Sequence, residues 1–299
     1  MPKHNLRLGG YQPEASVHTR ALHHMVGLIA ERLGTSVEAS ITADVTTHGH
    51  RAGDLLNMVE TGRLEGCYFA SSYLAARVPA LTVFDLPFVA TDRNRDYAKL
   101  DGEFGARLAT DVAARTQFRA LGYWDNGFRH ISNRLKPLRH PDDCRGMRLR
   151  TLDNTFHQEI FAALGCVPVF LDVRDLADAV VRQTIDAQEN PLTNLLNFGL
   201  HHTHRHVSLT SHFFGVALFL VNGAWFDALP PDIQGALRAI VDETTKRQRA
   251  LAIAEDKRCL DALRSDGVTI VPAEEIDFGA FRAAVQPVVE RQIAKLGGG

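Results

Sequence analysis

The chain has 299 residues, of which 45% are hydrophobic and 23% charged, with a formal net charge of −2. That length favours two domains, and the composition supports sizeable cores and excludes an intrinsically disordered chain. The near-neutral balance excludes nucleic acid as a main partner, since phosphate binding needs a basic surplus. No apolar run reaches the length of a membrane-crossing helix, so direct membrane insertion is not expected.

In chain order, Leu6 to Gly9 reads as a short strand, and a loop through Gln12, Pro13 and Glu14 leads to Ser16. Ser16 is placed to cap a helix bearing Leu22, Met25, Val26, Ile29 and Leu33, with Gly34 as its stop. Val37 to Ile41 is the next predicted strand, Asp54 to Val59 the next helix, and Glu65 to Phe69 a third strand running into Ser71, Ser72 and Tyr73. This alternation implies βαβ units with parallel strands, whose carboxyl ends carry binding loops. Ser72 and Tyr73 are therefore candidate ligand contacts of the first domain.

A strand over Phe118 to Trp124 precedes Gly127, after which strands are predicted over Phe128 to Ser132 and Met147 to Thr151. A helix from about Asn154 to Leu164, a strand over Val167 to Phe170 and a helix over Asp175 to Val181 complete a second α/β set. The chain is expected to cross between domains near Trp124 to Gly127 and near Thr210 to Phe214. Val216 to Val221 suits a buried strand. From Pro230-Pro231-Asp232 a helical pattern runs some 30 residues through Ile233, Leu237, Ile240, Val241 and Leu251 toward Leu263, long enough to span both domains. The terminal Gly297-Gly298-Gly299 is the one low-complexity stretch.

Two arginines and an amide stand in short polar segments beside strand-like runs: Arg129 in Trp124-Asp125-Asn126-Gly127-Phe128-Arg129, Arg150 in Gly146-Met147-Arg148-Leu149-Arg150-Thr151, and Asn190 in Gln188-Glu189-Asn190-Pro191. The arginine fork grips a carboxylate bidentately, and the amide adds a donor and an acceptor. That set suits holding a small organic acid more than transforming one. Arg148 shares a strand face with Arg150 and reads as a structural pairing residue. Trp124, Phe170, Phe213 and Phe214 are core candidates, and Phe170 and Phe214 fall at strand ends where pocket-lining aromatics occur.

The run His201-His202-Thr203-His204-Arg205-His206 would place His202, His204 and His206 on one face of an extended segment. Arg205 and the lack of a paired carboxylate or Cys count against a metal, and a solvated connector is the better reading. Asp172, Asp175, Asp178 and Asp186 read as solvent-facing residues of a helix and its exit. Cys67, Cys144, Cys166 and Cys259 are scattered, with no CxxC. There is no Gly-x-Ser-x-Gly elbow, phosphate-cradling loop or His-Glu-x-x-His, so no catalytic residues, metal or cofactor are assigned and an enzyme is not expected.

At these motifs the chain resembles the DctP-type substrate-binding proteins of tripartite ATP-independent periplasmic (TRAP) transporters. The likeness rests on the order and spacing of the Leu6 to His18 segment, Leu86-Pro87-Phe88, Trp124 to Asn133, Pro141 to Arg150, Ile185 to Pro191, Val221-Asn222 and Leu229-Pro230. It implies an α/β, two-domain periplasmic binding protein (type II-like) with mixed sheets, crossing hinge strands, and one long helix spanning both domains. Residues 1–124 plus 213–250 would form one domain and 125–212 plus 251–299 the other, closing by hinge motion on ligand in a cleft.

By the same resemblance Arg150 makes the main salt bridge to a substrate carboxylate, and Arg129 and Asn190 assist. Glu14 and His18 lie where such proteins place substrate-selecting side chains, and Trp124 is carried as a further contact. Ala187 departs from the family pattern, which has Gly before Gln188. The implied partners are a small carboxylate and the small and large TRAP membrane subunits, for ion-gradient-driven uptake by a monomer in the periplasm. The chain shows no signal peptide, which leaves a cytoplasmic protein or a mature form with its leader removed; the resemblance favours the mature form, with Met1 either native or an expression start. A periplasmic carboxylate sensor and an α/β enzyme acting on a carboxylate are the alternatives.

Overall fold

The computed structural model describes residues 3–296, so Met1 and the terminal glycine run lie outside the described residues. Its strands and helices are β1 (His4–Gly9), α1 (Val17–Leu33), β2 (Val37–Thr42), α2 (Asp54–Glu60), β3 (Gly66–Ala70), α3 (Arg93–Leu100), α4 (Glu103–Arg115), β4 (Phe118–Asn133), β5 (Arg148–Thr151) and α5 (Thr155–Ala163). They continue as β6 (Val167–Phe170), α6 (Val173–Val181), β7 (Ala187–Asn190), α7 (Leu192–Asn197), β8 (His206–Asn222), α8 (Gly223–Asp227), α9 (Pro231–Ser265), β9 (Thr269–Val271) and α10 (Phe278–Lys295). The chain divides into two compact units. The first holds the segment up to Ser71, Asn94–Asn126 and Val216–Ala254; the second holds Ser72–Arg93, Gly127–Gly215 and the segment from Glu255 onward.

In the first unit β1 pairs in parallel with β2 and β3, as the strand–helix alternation leads one to expect, and β3 pairs antiparallel with the Ala217 to Val221 stretch of β8. Ser16 Oγ accepts from Thr19 N at 3.1 Å and caps α1, whose Leu22, Met25 and Ile29 are buried at helical spacing. Trp124 closes this core: it stacks on Phe219 at 5.4 Å and donates from Nε1 to Thr245 Oγ1 at 3.1 Å.

In the second unit β5 pairs in parallel with β6 and β7, β7 runs antiparallel to the His130 to Asn133 end of β4, and β9 runs parallel to the start of β8. One apolar cluster packs Ile131, Met147, Leu149, Phe161, Phe213 and Phe281; another packs Leu176, Ile185, Leu195, Cys259 and Leu263.

Several expectations change. The two strands read over Phe118 to Trp124 and Phe128 to Ser132 are one 16-residue strand, β4, in which Gly127 takes φ +81° without ending it. A Cβ there would stand 2.8 Å from Pro191, so glycine serves both the backbone angle and the close approach. Unit boundaries fall after Ser71 and Arg93 and within β4, β8 and α9, and α9 has 35 residues rather than some 30. The segment Ser72–Arg93, read from sequence as first-domain chain, belongs to the second unit.

Asp186 does not face solvent. It is buried, accepting from Arg148 Nε at 3.0 Å and Nη2 at 2.9 Å and from Arg134 Nη2 at 2.6 Å, which gives Arg148 the structural role expected of it. The Arg148 hydrogen bond holds this carboxyl well below the usual range against the opposing effect of burial, and Arg134 adds to it. Asp186→Ala would strand two guanidinium groups and is expected to lower stability by about 2–3 kcal/mol. Urea unfolding measures this, and an unchanged midpoint would contradict the pairing.

Candidate functional site

The second unit concentrates the polar residues singled out from sequence. Arg150, the third residue of β5, is 2% exposed. Its Nε donates to Leu171 O at 2.8 Å, in the turn after β6, and the guanidinium also donates to the Tyr73 hydroxyl. These two contacts fix the plane of the fork. Its Nη2 is buried without a hydrogen-bond partner among the described residues. A buried donor left unpaired is costly, more so on a charged group, so this edge of the fork is built for an acceptor.

Tyr73 is half-buried. Burial raises its hydroxyl's pKa and nearby Asp172 adds to that, while Arg150 and Arg129 oppose it. Those influences place Arg150, Arg129 and Asp172 each within electrostatic reach of Tyr73. Phe170 ends β6, pairs in register with Thr151 and is 50% exposed. Phe214 is buried and tilts against Phe128 at 5.0 Å.

Arg129 is committed differently. Its Nε and Nη2 clasp the Glu189 carboxylate, Nη2 reaching Oε1 at 2.8 Å, and Nη2 also donates to Glu189 O and Asn190 Oδ1 at 2.9 and 3.1 Å. Glu189 is fully buried and is further held by His212 Nε2 at 3.3 Å. Burial lowers the His212 pKa, so the ring stays neutral; with Nε2–H donating to Glu189, Nδ1 accepts from the Thr210 hydroxyl at 2.7 Å.

Asn190 spends its amide within a relay: Nδ2 donates to Gln188 Oε1 at 2.6 Å, and Oδ1 accepts from Asn194 Nδ2 at 3.1 Å as well as from Arg129. Gln188 donates to Ser132 Oγ at 2.5 Å, which in turn contacts His204 Nδ1 at 3.1 Å. His204 is thus no solvated connector; it and His201 are buried, and a neighbouring polar relay takes up a His204 ring nitrogen. No group of three or more His, Cys, Asp or Glu among the described residues is arranged to hold a metal ion. Ala187, at the family's usual glycine position, is buried in β7 in register with Asn133 and Leu149 and does not take positive φ.

The remaining sequence candidates lie apart from this group. His18 and Trp124 sit in the first unit around Tyr68, where His18 stacks at 4.7 Å and contacts Gln12 Oε1 through Nδ1 at 3.2 Å. Burial lowers the His18 pKa to about 3, so its ring is neutral. Glu14 is exposed and pairs with His23 at 2.7 Å. Ser72 and Tyr73, assigned from sequence to the domain opposite Arg150, share Arg150's unit. Sequence reasoning missed Leu171 as the acceptor that orients Arg150, and it missed Asp85, His157 and His212, which are joined to their partners by no local pattern.

A mixed α/β fold in two units, with a buried arginine presenting an unpartnered edge near a tyrosine, is the arrangement of a solute-binding protein. The chain belongs to the DctP family, bacterial extracellular solute-binding protein family 7, which it matches over residues 8–296. It is 32% identical to a solute-binding protein of Verminephrobacter eiseniae, covering 79% of this chain and 71% of that protein. It is 25% identical to the 2,3-diketo-L-gulonate-binding periplasmic protein YiaO of Escherichia coli, covering 97% and 87%. The sugar acid binding protein DctPAm of Advenella mimigardefordensis, solved in complex with galactonate, superposes with a TM-score of 0.93 at 25% identity, covering 99% of this chain and 94% of that one. The chain is therefore a TRAP-type solute-binding protein of a family that is periplasmic and not enzymatic. No helix among the described residues is long and apolar enough to cross a membrane.

Proposed function

We propose that this protein captures a sugar acid, an aldonate or uronate, in the periplasm and hands it to the small and large TRAP membrane subunits. The observation that carries this reading is the buried, unpartnered Nη2 of Arg150, held in place by Leu171 and Tyr73. A carboxylate satisfies that edge with a charge-assisted hydrogen bond, and the Tyr73 hydroxyl beside it suits a hydroxyl or keto oxygen next to the acid group. The galactonate held by the Advenella protein and the 2,3-diketo-L-gulonate of the Escherichia protein's name belong to this chemical class.

Asn190 and Arg129 act in this scheme from behind, Asn190 through its amide relay and Arg129 through Glu189. A thermal-shift series over D-galactonate, D-glucuronate, succinate, D-galactose and D-glucose tests the reading. A ligand selective for the native state raises the unfolding temperature by mass action. The sugar acids are expected to stabilise, and the neutral sugars to leave the transition unmoved; equal stabilisation by the neutral sugars would overturn the carboxylate role.

A further inference from the structure

The segment Ser72–Arg93 leads from the first unit into the second, and its second residue is Tyr73. What holds it there is a buried polar clasp. Asp85 is 1% exposed. Its Oδ1 accepts from Ser72 Oγ at 2.5 Å and lies 2.8 Å from His157 Nε2, and its Oδ2 accepts from Asn154 Nδ2 at 3.0 Å. The same Asn154 amide donates to Ser72 O at 3.1 Å, while its Oδ1 caps α5 by accepting from His157 N at 3.1 Å. His157 is in turn stacked on Phe213 at 4.4 Å. Further along, Phe88 takes φ +62°, unusual for a bulky residue, and donates its backbone N–H to His212 O at 2.8 Å. The segment is thus pinned near both ends to α5 and β8, and Tyr73 is the residue directly after the pinned Ser72.

We propose that Asp85 is a positioning residue that, through Ser72 and α5, sets the Tyr73 hydroxyl against Arg150 and so makes Tyr73 a reader of the oxygen next to the ligand's carboxylate. The ligand-facing half of this inference rests on the function proposed above; the placement of Tyr73 does not. A carboxylate is suited to the task because it alone offers enough acceptor sites for the Ser72 hydroxyl, the Asn154 amide and the His157 ring at once. Asp85→Asn keeps the shape and replaces one acceptor by a pair of donors, which face either the Asn154 amide or the Ser72 and His157 side. Ser72→Ala removes only the link nearest Tyr73.

The test labels the protein with 3-fluorotyrosine and assigns the Tyr73 fluorine resonance with Tyr73→Phe. In the unliganded protein Asp85→Asn and Ser72→Ala are expected to move that resonance and to bring the Tyr73 hydroxyl's titration down toward its ordinary range, because burial now raises it. Asp186→Ala, a destabilising change at a separate pair, should leave the Tyr73 signal in place and so separates positioning from general loss of stability. In parallel, Kd for D-galactonate is expected to rise about tenfold in Asp85→Asn, with little further loss on adding Tyr73→Phe. A Tyr73 resonance and titration unchanged in folded Ser72→Ala and Asp85→Asn would overturn the clasp. Failure of D-galactonate to bind the unaltered protein would count against the proposed ligand class while the fluorine measurement still decides the placement of Tyr73.

Discussion

Arg150→Ala is expected to abolish stabilisation by sugar acids while leaving the unliganded protein close to its original stability. The two halves of this outcome have separate physical causes. In the bound protein a carboxylate would take the buried Nη2 edge, and deleting one partner of a buried, hydrogen-bonded charge pair costs about 2–5 kcal/mol, or roughly 30- to 5,000-fold in Kd. In the unliganded protein that same guanidinium is a buried cation with an unsatisfied donor, so its removal relieves a desolvation cost that offsets the lost bonds to Leu171 and Tyr73. Arg150→Lys separates fork from charge: a lysine supplies a point charge without the planar pair of donors, and affinity should stay well below that of the original protein. Calorimetric titration with D-galactonate and D-glucuronate reads both variants. Affinity of Arg150→Ala within about threefold of the original would remove Arg150 from the binding role, since an effect that small lies below the loss of even one hydrogen bond to a charged group.

Much of the architecture was legible because it is written locally. Ser16 caps α1 because its side chain meets an N–H three residues on, and the buried spacing of Leu22, Met25 and Ile29 is a property of one helix. The same holds for the strand–helix alternation that pairs β1 with β2 and β3. The misreadings of burial and of unit membership concern partners distant in sequence. Ser72–Arg93 was given to the wrong unit because the contact that places it, Asp85 with His157, joins residues 72 positions apart. Asp186 looked like an exposed helix exit, yet Arg148 and Arg134 come to it from β5 and from just after β4. His204 sat in a polar run that reads as solvated, and only the fold brings Ser132 to it.

The candidate site shows the same division. Arg150, Arg129 and Asn190 could be picked out by side-chain chemistry and by resemblance, but not the division of labour among them. Arg129 closes on Glu189 and Asn190 turns inward to Gln188, leaving Arg150 as the arginine whose buried edge has no protein acceptor among the described residues. An arginine's role is decided by which acceptors the fold has already placed against it, and no spacing rule on a single strand contains that information.

Glu189→Gln is the second change with a large expected effect, on stability instead of specificity. The side chain keeps its shape and loses its charge, so Arg129 becomes a buried cation facing an amide. Breaking a buried pair from one side costs about 3–5 kcal/mol, because the partner's desolvation is no longer compensated. Arg129→Met in the same background removes the stranded charge, and the double variant is expected to recover part of the loss, giving a coupling free energy well outside the additive limit. The pair also carries a pH signature. Burial by itself would raise the Glu189 pKa, but Arg129 and His212 outweigh it and hold the carboxyl well below its ordinary value. A depressed folded-state pKa means stability that is fully present above the unfolded value of about 4.3 and is lost as pH falls below it. Asp186 contributes a slope of the same sign, so the protein as a whole weakens in acid, and the Glu189 share is the difference between the original and Glu189→Gln profiles. Urea midpoints taken from pH 7 to pH 3 should therefore converge for the two proteins as pH falls. Equal midpoints at pH 7 would show that the Arg129–Glu189 pair contributes no net stability, and parallel profiles with a constant offset would show that the folded-state carboxyl is not held below its ordinary pKa.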